Sequence, residues 1–340
     1  MHALVFVVGL VGNALVCIAV HRKQSMRTVT NYFIVNLAVA DFLVLLICLP
    51  LTVLWDVTET WFFGDGLCKA VPYLQTVSVA VSILTLTFIS VDRWYAICFP
   101  LKFRSTTGRA KTAIAVIWVL AIICDIPDLL VLHTIPPSHI RVKTVIYTRC
   151  DLDWSQKSQM IFTTFKLFVL YLIPLSFMSV AYWQIIRVLW RSDIPGHNLS
   201  VRASQMNEIP PPVGGNPEDQ LRSRRKAAKM LVAVVLTFTI CFLPVHILSI
   251  LRYTITLRSN KWTVGFSLIS HWLCYFNSAI NPVIYNFMSG KFRQEFRRTF
   301  RDCTSSNGSH RHRAMHRADS YAYNTGNGCR STFRSRRDPF

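Results

Sequence analysis

Seven long runs of mainly apolar residues dominate the chain, near Ala3–Val20, Tyr32–Trp55, Cys68–Cys98, Thr112–Leu132, Ile161–Trp190, Ala227–Leu251 and Val264–Met288. A helix crosses the hydrocarbon core of a bilayer in about 20 residues, and each run is close to that length or longer. Backbone groups in lipid must bond within their own segment or a closed barrel. Here Leu, Ile, Val and Phe occupy consecutive positions and do not alternate, which excludes a lipid-facing barrel. Only 16% of the residues are charged, against about a quarter in soluble domains, so a water-soluble globule is excluded as well. The expected fold is an all-α membrane protein, a seven-transmembrane helix bundle over residues 3–300.

Charge orients the bundle. The net charge is +20, and 28 of the 37 Lys and Arg fall between or after the spans on the side that also holds the C-terminus. The positive-inside rule therefore puts the C-terminus in the cytosol of a multi-pass plasma-membrane protein. Such basicity also suits nucleic acid, but no soluble module remains to bind it, and no nucleic-acid partner is expected. The first run starts almost at Met1 without the flanks of a cleaved signal peptide, so we expect the natural chain to begin further upstream. The two Asn-x-Ser/Thr sequons, at Asn198 and Asn307, lie on the cytosolic side and are expected to stay unglycosylated. Residues 193–222, rich in Pro, Gly and Ser, read as a flexible third cytosolic loop, and 301–340 as a disordered cytosolic tail. Near 290–300, Phe292, Phe296 and Phe300 recur every fourth residue with Arg293 and Arg297 between them, the pattern of a short amphipathic cytosolic helix on the inner leaflet.

Polar groups inside spans are costly and usually face the bundle interior. Asn13, Asp41, Ser82, Asn277 and Asn281 fall at similar depths in four spans. Together they can hold a water network or a sodium ion at Asp41, and five unrelated packing polars are the alternative. Pro174, Pro244 and Pro282 each remove a helical hydrogen bond and allow a kink. Asp92-Arg93-Trp94 ends the third span, Cys241-Phe242-Leu243-Pro244 lies in the sixth, and Asn281-Pro282-Val283-Ile284-Tyr285 in the seventh.

This ordered set, with Gly12-Asn13, Asn36-Leu37-Ala38-Val39-Ala40-Asp41 and Trp118, resembles the rhodopsin-like (class A) G-protein-coupled receptors. Within that class, Met26–Phe33, Thr58–Gly64, Pro72–Val77, Asp92–Cys98, Cys150-Asp151 with Trp154, and Ser270–Leu273 look like the orexin and insect allatotropin receptors. The resemblance implies a neuropeptide receptor that signals through a heterotrimeric G protein by outward movement of the sixth helix, with arrestin and membrane lipids as further partners. A receptor for another peptide, of RFamide or SIFamide type, is the alternative. A transporter is a remote one, since no internal repeat or pair of broken helices is visible. No catalytic or metal-ligand set appears, so the chain is not read as an enzyme, and no cofactor is expected beyond the sodium ion.

By resemblance, Gln75, Thr76, His271 and Tyr275 line the ligand pocket, with Asp151 and Trp154 on its lid. Gln75 stands where an amine receptor needs a carboxylate, and an amide that both donates and accepts suits a peptide. Tyr275 replaces the Schiff-base Lys of an opsin. Cys68 and Cys150 both face the oxidising side and are expected to form a disulfide. Cys303 is a candidate palmitoylation site. Asp92, Arg93, Pro100, Leu101, Tyr182, Phe242, Pro244, Pro282 and Tyr285 are expected to serve activation and G-protein contact, with no cross-helix lock because Arg224 stands where some relatives have an acid. Phe242 and Ser249 depart from the orexin pattern. So do Asp125, Asp128 and Lys166; we expect Lys166 to pair with one of these carboxylates at the pocket border.

Overall fold

The computed structural model of the chain describes residues 1–99, 106–137, 145–191, 217–254 and 261–302. Its helices are α1 (His2–Arg22), α2 (Val29–Leu43), α3 (Leu49–Thr58), α4 (Gly64–Cys98), α5 (Thr107–Val131), α6 (Gln156–Leu167), α7 (Ile173–Arg191), α8 (Pro217–Thr254) and α9 (Lys261–Met288). A last helix, α10, covers 290–302. The α2–α3 pair is the second span and the α6–α7 pair the fifth, so seven spans are described. Residues up to Gln294 form one compact unit, and those from Glu295 belong to a second. The expected loop 193–222 is corrected at its end, because α8 begins at Pro217. The rest of that loop to residue 216, Pro100, Leu101, Cys303 and the tail beyond residue 302 lie outside the described residues.

Six spans combine the length and apolar character needed to cross a membrane. The seventh, α9, is less apolar because Ser270, His271, Asn277, Ser278 and Asn281 interrupt it. All of these but His271 turn inward: Ser270, Asn277, Ser278 and Asn281 are buried, whereas Val7, Val119, Ile123, Ile173 and Ile240 are exposed on the outside of the bundle. A small polar interior with an apolar exterior suits lipid as the surrounding solvent.

Two spans break their helical register, and proline explains both. Val44–Cys48 and Phe168–Leu172 form π-turns just ahead of Pro50 and Pro174. Neither proline can donate to the carbonyl four residues back, at Leu46 or Leu170, and the widened turn accommodates the missing bond. Side-chain oxygens of Thr28, Thr106 and Ser155 accept the backbone N–H three residues on and so cap α2, α5 and α6. Glycine lets the first span lie against its neighbours. A Cβ on Gly9 would collide with Leu45 Cδ1, and one on Gly12 would fall 2.8 Å from Pro282 Cβ.

Between the fourth and fifth spans lies an antiparallel hairpin, β1 (Leu132–Ile135) with β2 (Arg149–Leu152). Its register sets Leu132 opposite Leu152, His133 opposite Asp151 and Thr134 opposite Cys150. The Cys68–Cys150 disulfide ties β2 to the start of the third span. Asp65 accepts from the Thr134 N–H at 3.0 Å, and the Trp61 N–H donates to the Thr148 carbonyl at 2.8 Å. Buried Trp61 meets Trp55 and Phe63 edge to face at 5.6 and 5.2 Å. The loops of this end are thus pinned by covalent, polar and aromatic contacts together.

Candidate functional site

At the hairpin end, the second, third and seventh spans bring a chain of neutral polar groups together. Pro50 lies in the first turn of α3, and two residues later Thr52 faces Tyr275. The two hydroxyls share a hydrogen bond of 2.6 Å, and the Tyr275 hydroxyl donates to Gln75 Oε1 at 3.2 Å. Among the described residues the Gln75 amide nitrogen has no partner, which leaves two N–H donors for an incoming carbonyl. One turn beyond Thr52, Asp56 Oδ2 stands 3.8 Å from His271 Nδ1. Three of the expected pocket residues, Gln75, His271 and Tyr275, therefore converge. Thr76 does not join them by hydrogen bond, since its hydroxyl donates to the Tyr73 carbonyl at 3.0 Å.

The lid residues behave differently from one another. Asp151 uses Oδ1 to accept the Leu152 N–H at 2.8 Å and lies exposed on β2. Trp154 rests on Phe162, with ring centroids 5.8 Å apart. Lys166 takes up Asp128 at 2.7 Å and Asp125 at 4.0 Å, and lies 4.5 Å from the Phe162 ring. The pairing read from the sequence is present, with Asp128 as the nearer partner. Asp125 is wholly buried, and neither of its oxygens has a hydrogen-bond partner among the described residues.

Below this floor sits a cavity of about 20 Å³, lined by Gln75, Ser78, Ser82, Phe242, Tyr275 and Asn277 among others. It has room for one water or a small ion. Deeper still, Asn281 Nδ2 donates to Asp41 Oδ2 at 2.9 Å, and Asn13 Nδ2 donates to the Gly9 and Ser278 carbonyls, each at 2.9 Å. Four buried oxygens, Asn13 Oδ1, Asp41 Oδ1, Asn277 Oδ1 and Asn281 Oδ1, find no donor among the described residues. Unmatched acceptors around a carboxylate fit a hard monovalent cation with its water shell.

At the opposite end, Asp92 holds Arg93 by two bonds, the Nε contact being 3.0 Å. Arg93, Tyr182, Ile185 and Arg224 line a crevice of about 300 Å³ between the third, fifth and sixth spans. Two guanidinium groups there with one bound carboxylate make the crevice electropositive. Tyr182 thus meets Arg93 at this crevice, while Tyr285 stacks on Phe292 at 5.5 Å. Phe242 stacks on Phe238 at 4.5 Å, two residues before Pro244.

Sequence reasoning passed over Thr52 and Asp56. Their i, i+4 spacing on one helix face, just past Pro50, is the signal that marks them. It also listed Asn36 and Trp118 only as motif residues. They prove to be a joint of three spans, because the Trp118 indole donates to Asn36 Oδ1 at 2.8 Å and Asn36 donates to Thr85 at 2.8 Å.

Comparison with known proteins agrees with this architecture. Residues 12–285 match the family described as 7 transmembrane receptor (rhodopsin family). The chain is 34% identical over 303 residues to a QRFP-like peptide receptor of Branchiostoma floridae, covering 87% of this chain and 75% of that one. It is also 34% identical over 312 residues to neuropeptide FF receptor 2 of Mus musculus, covering 89% of this chain and 72% of that one.

Proposed function

The chain belongs to the rhodopsin family of seven-transmembrane receptors, and on that premise we propose that it is a receptor for a C-terminally amidated neuropeptide of RFamide type. Two relatives whose names carry QRFP and neuropeptide FF support that reading over the orexin- or allatotropin-like one. The observation that carries it is the Thr52–Tyr275–Gln75 chain. It offers neutral donors and acceptors to a primary amide, and the carboxylate one turn away, Asp56, is turned to His271. His271 and Asp56 extend the same wall, Lys166 borders it on the fifth-span side, and Asp151, Trp154 and Thr76 flank it.

Agonist bound here favours the conformation in which the sixth span swings outward about Pro244. Phe242, at the cavity below the pocket, and Pro282 relay the change. Arg93 leaves Asp92 in that form, and Tyr182 and Tyr285 close in around it. The electropositive crevice suits the negative end of an inserted G-protein helix, with Pro100 and Leu101 contributing from the second inner loop and arrestin using the same face. The C-terminus is cytosolic, α10 lies along the inner leaflet, and anionic lipid meets the basic rim. Asp41 with Asn13, Ser82, Asn277 and Asn281 would hold a sodium ion, whose charge would offset the buried carboxylate in the resting form.

The test is calcium and cAMP signalling in cells expressing the chain, challenged with amidated RFamide-type peptides beside orexin- and allatotropin-like ones. The expected result is a potent response to the first group, lost with Gln75→Leu. A response confined to the other group overturns the RFamide reading.

A further inference from the structure

Lys166 is shared between two carboxylates that it does not satisfy equally. Asp125 and Asp128 lie one turn apart on α5 and both face it, at 4.0 and 2.7 Å. Asp128 accepts a hydrogen bond from the ammonium, whereas Asp125 is wholly buried and neither of its oxygens accepts one from any described residue. Among the described residues Lys166 is the one cation within 4.0 Å of either acid. The cluster is therefore one positive charge short, and a buried carboxylate without a full partner is costly.

This cluster lies directly beneath the lid. The Asp153 N–H donates to the Val131 carbonyl at 2.7 Å, three residues past Asp128. Lys166 stands 4.5 Å from the Phe162 ring, on which Trp154 rests. At the foot of the cluster the Tyr73 hydroxyl donates to the Ile122 carbonyl at 3.2 Å, three residues before Asp125. That bond holds the third span against the fourth two residues before Gln75. The side chains of Asp125, Asp128 and Lys166 are 0%, 9% and 21% exposed, so an incoming group meets Lys166 and Asp128 and does not touch Asp125.

We propose that the cluster is a subsite for a guanidinium carried by the ligand, and that it works by exchange of ion pairs. The guanidinium takes Asp128 through two parallel N–H···O bonds, a geometry that its planar fork matches. Lys166 then gives up Asp128 and closes the remaining gap to Asp125, whose unmatched oxygens receive it. Two carboxylates face two cations in the bound form, and no covalent bond or proton moves. A ligand carboxylate would add to the excess negative charge instead. The inference rests on the peptide reading proposed above and adds where the ligand's charge is read.

The test uses cells expressing the full chain and one amidated RFamide-type peptide, made with arginine or with its neutral isostere citrulline before the terminal residue. On the unaltered chain citrulline is expected to cost roughly 10- to 100-fold in potency, the worth of hydrogen bonds to a charged group. Asp128→Asn is expected to remove most of that ratio, and Asp128→Glu to keep it. Asp125→Asn is expected to shrink the ratio too, because it removes the carboxylate to which Lys166 moves. Equal potency of the two peptides on the unaltered chain, or a full ratio in Asp128→Asn, overturns the subsite. A full ratio in Asp125→Asn overturns the exchange. Comparing amide with free acid reads the Gln75 wall, and comparing arginine with citrulline reads this cluster, so either proposal fails alone. Should no such peptide act, the thermal midpoint of the purified full chain is read with excess N-acetyl-arginine methylamide or its citrulline counterpart. A rise with the arginine compound alone, absent in Asp128→Asn, supports the subsite, and equal midpoints overturn it.

Discussion

Removing the Lys166 ammonium leaves two carboxylates one turn apart on the same face of the fourth span, and the cost follows from counting charges. Asp125 is 0% exposed and Asp128 6%, and Lys166 lies 4.0 and 2.7 Å from them. At an effective dielectric of about 20, each attraction is roughly 4 to 6 kcal/mol before desolvation is subtracted. The intact cluster carries one net negative charge. Lys166→Met raises that to two, and stripping a buried pair of one partner costs about 3–5 kcal/mol. Asp128→Asn instead leaves Asp125 and Lys166 balanced, so its expected cost is only about 1 kcal/mol. For a domain of this size a kilocalorie shifts the midpoint by roughly 2 °C. Thermal unfolding of detergent-solubilised protein should therefore place Lys166→Met about 6–10 °C below the parent and Asp128→Asn within about 3 °C of it. Adding Asp125→Asn and Asp128→Asn to Lys166→Met should recover most of the loss. A Lys166→Met protein as stable as its parent, or an unrecovered triple variant, would refute the charge count.

Further expectations concern other joints of the bundle. Gly12→Ala puts a methyl 2.8 Å from the rigid Pro282 ring, and should lower stability by about 1–3 kcal/mol in the same thermal assay. Asn36→Ala strands the half-buried Trp118 indole N–H and the buried Thr85 hydroxyl, for an expected loss of about 1–3 kcal/mol; Asn36→Asp keeps the acceptor for Trp118 and should lose less. Asp41→Asn removes the only carboxylate of the central oxygen cluster, so any depression of agonist affinity by sodium over lithium should disappear in radioligand binding.

Much of this arrangement was legible from pattern alone, because lipid makes the spans and their inward polar residues hard to disguise. Asp41, Asn281 and Asn13 stand at matching depth in the sequence; Asn281 bonds Asp41 in the bundle, and Asn13 bonds the seventh span at the Ser278 carbonyl. What stayed hidden depends on partners far away in the chain. The π-turns before Pro50 and Pro174 are one of several ways a helix takes up a missing proline bond, and proline by itself announces only a kink. The hairpin Leu132–Ile135 with Arg149–Leu152 is short, its strands stand too far apart in sequence for a two-residue turn, and its position comes from Cys68, Asp65 and Trp61. Which carboxylate Lys166 prefers is a matter of helix rotation, and periodicity does not report it. Thr52 went unnoticed because a lone threonine in a span usually bonds its own helix, and the Cys48 carbonyl does lie within reach of its hydroxyl at 2.8 Å.

The central claim is that this bundle turns recognition of an amidated peptide into G-protein activation. It is tested most directly by guanine-nucleotide exchange on a purified heterotrimer added to the reconstituted chain, with one RFamide-type peptide supplied as its amide and as its free acid. The account predicts exchange with the amide, at least tenfold less potency with the acid, and convergence of the two when Gln75 becomes Leu. Equal potency of amide and acid on the unaltered chain, or no exchange with either, would contradict it.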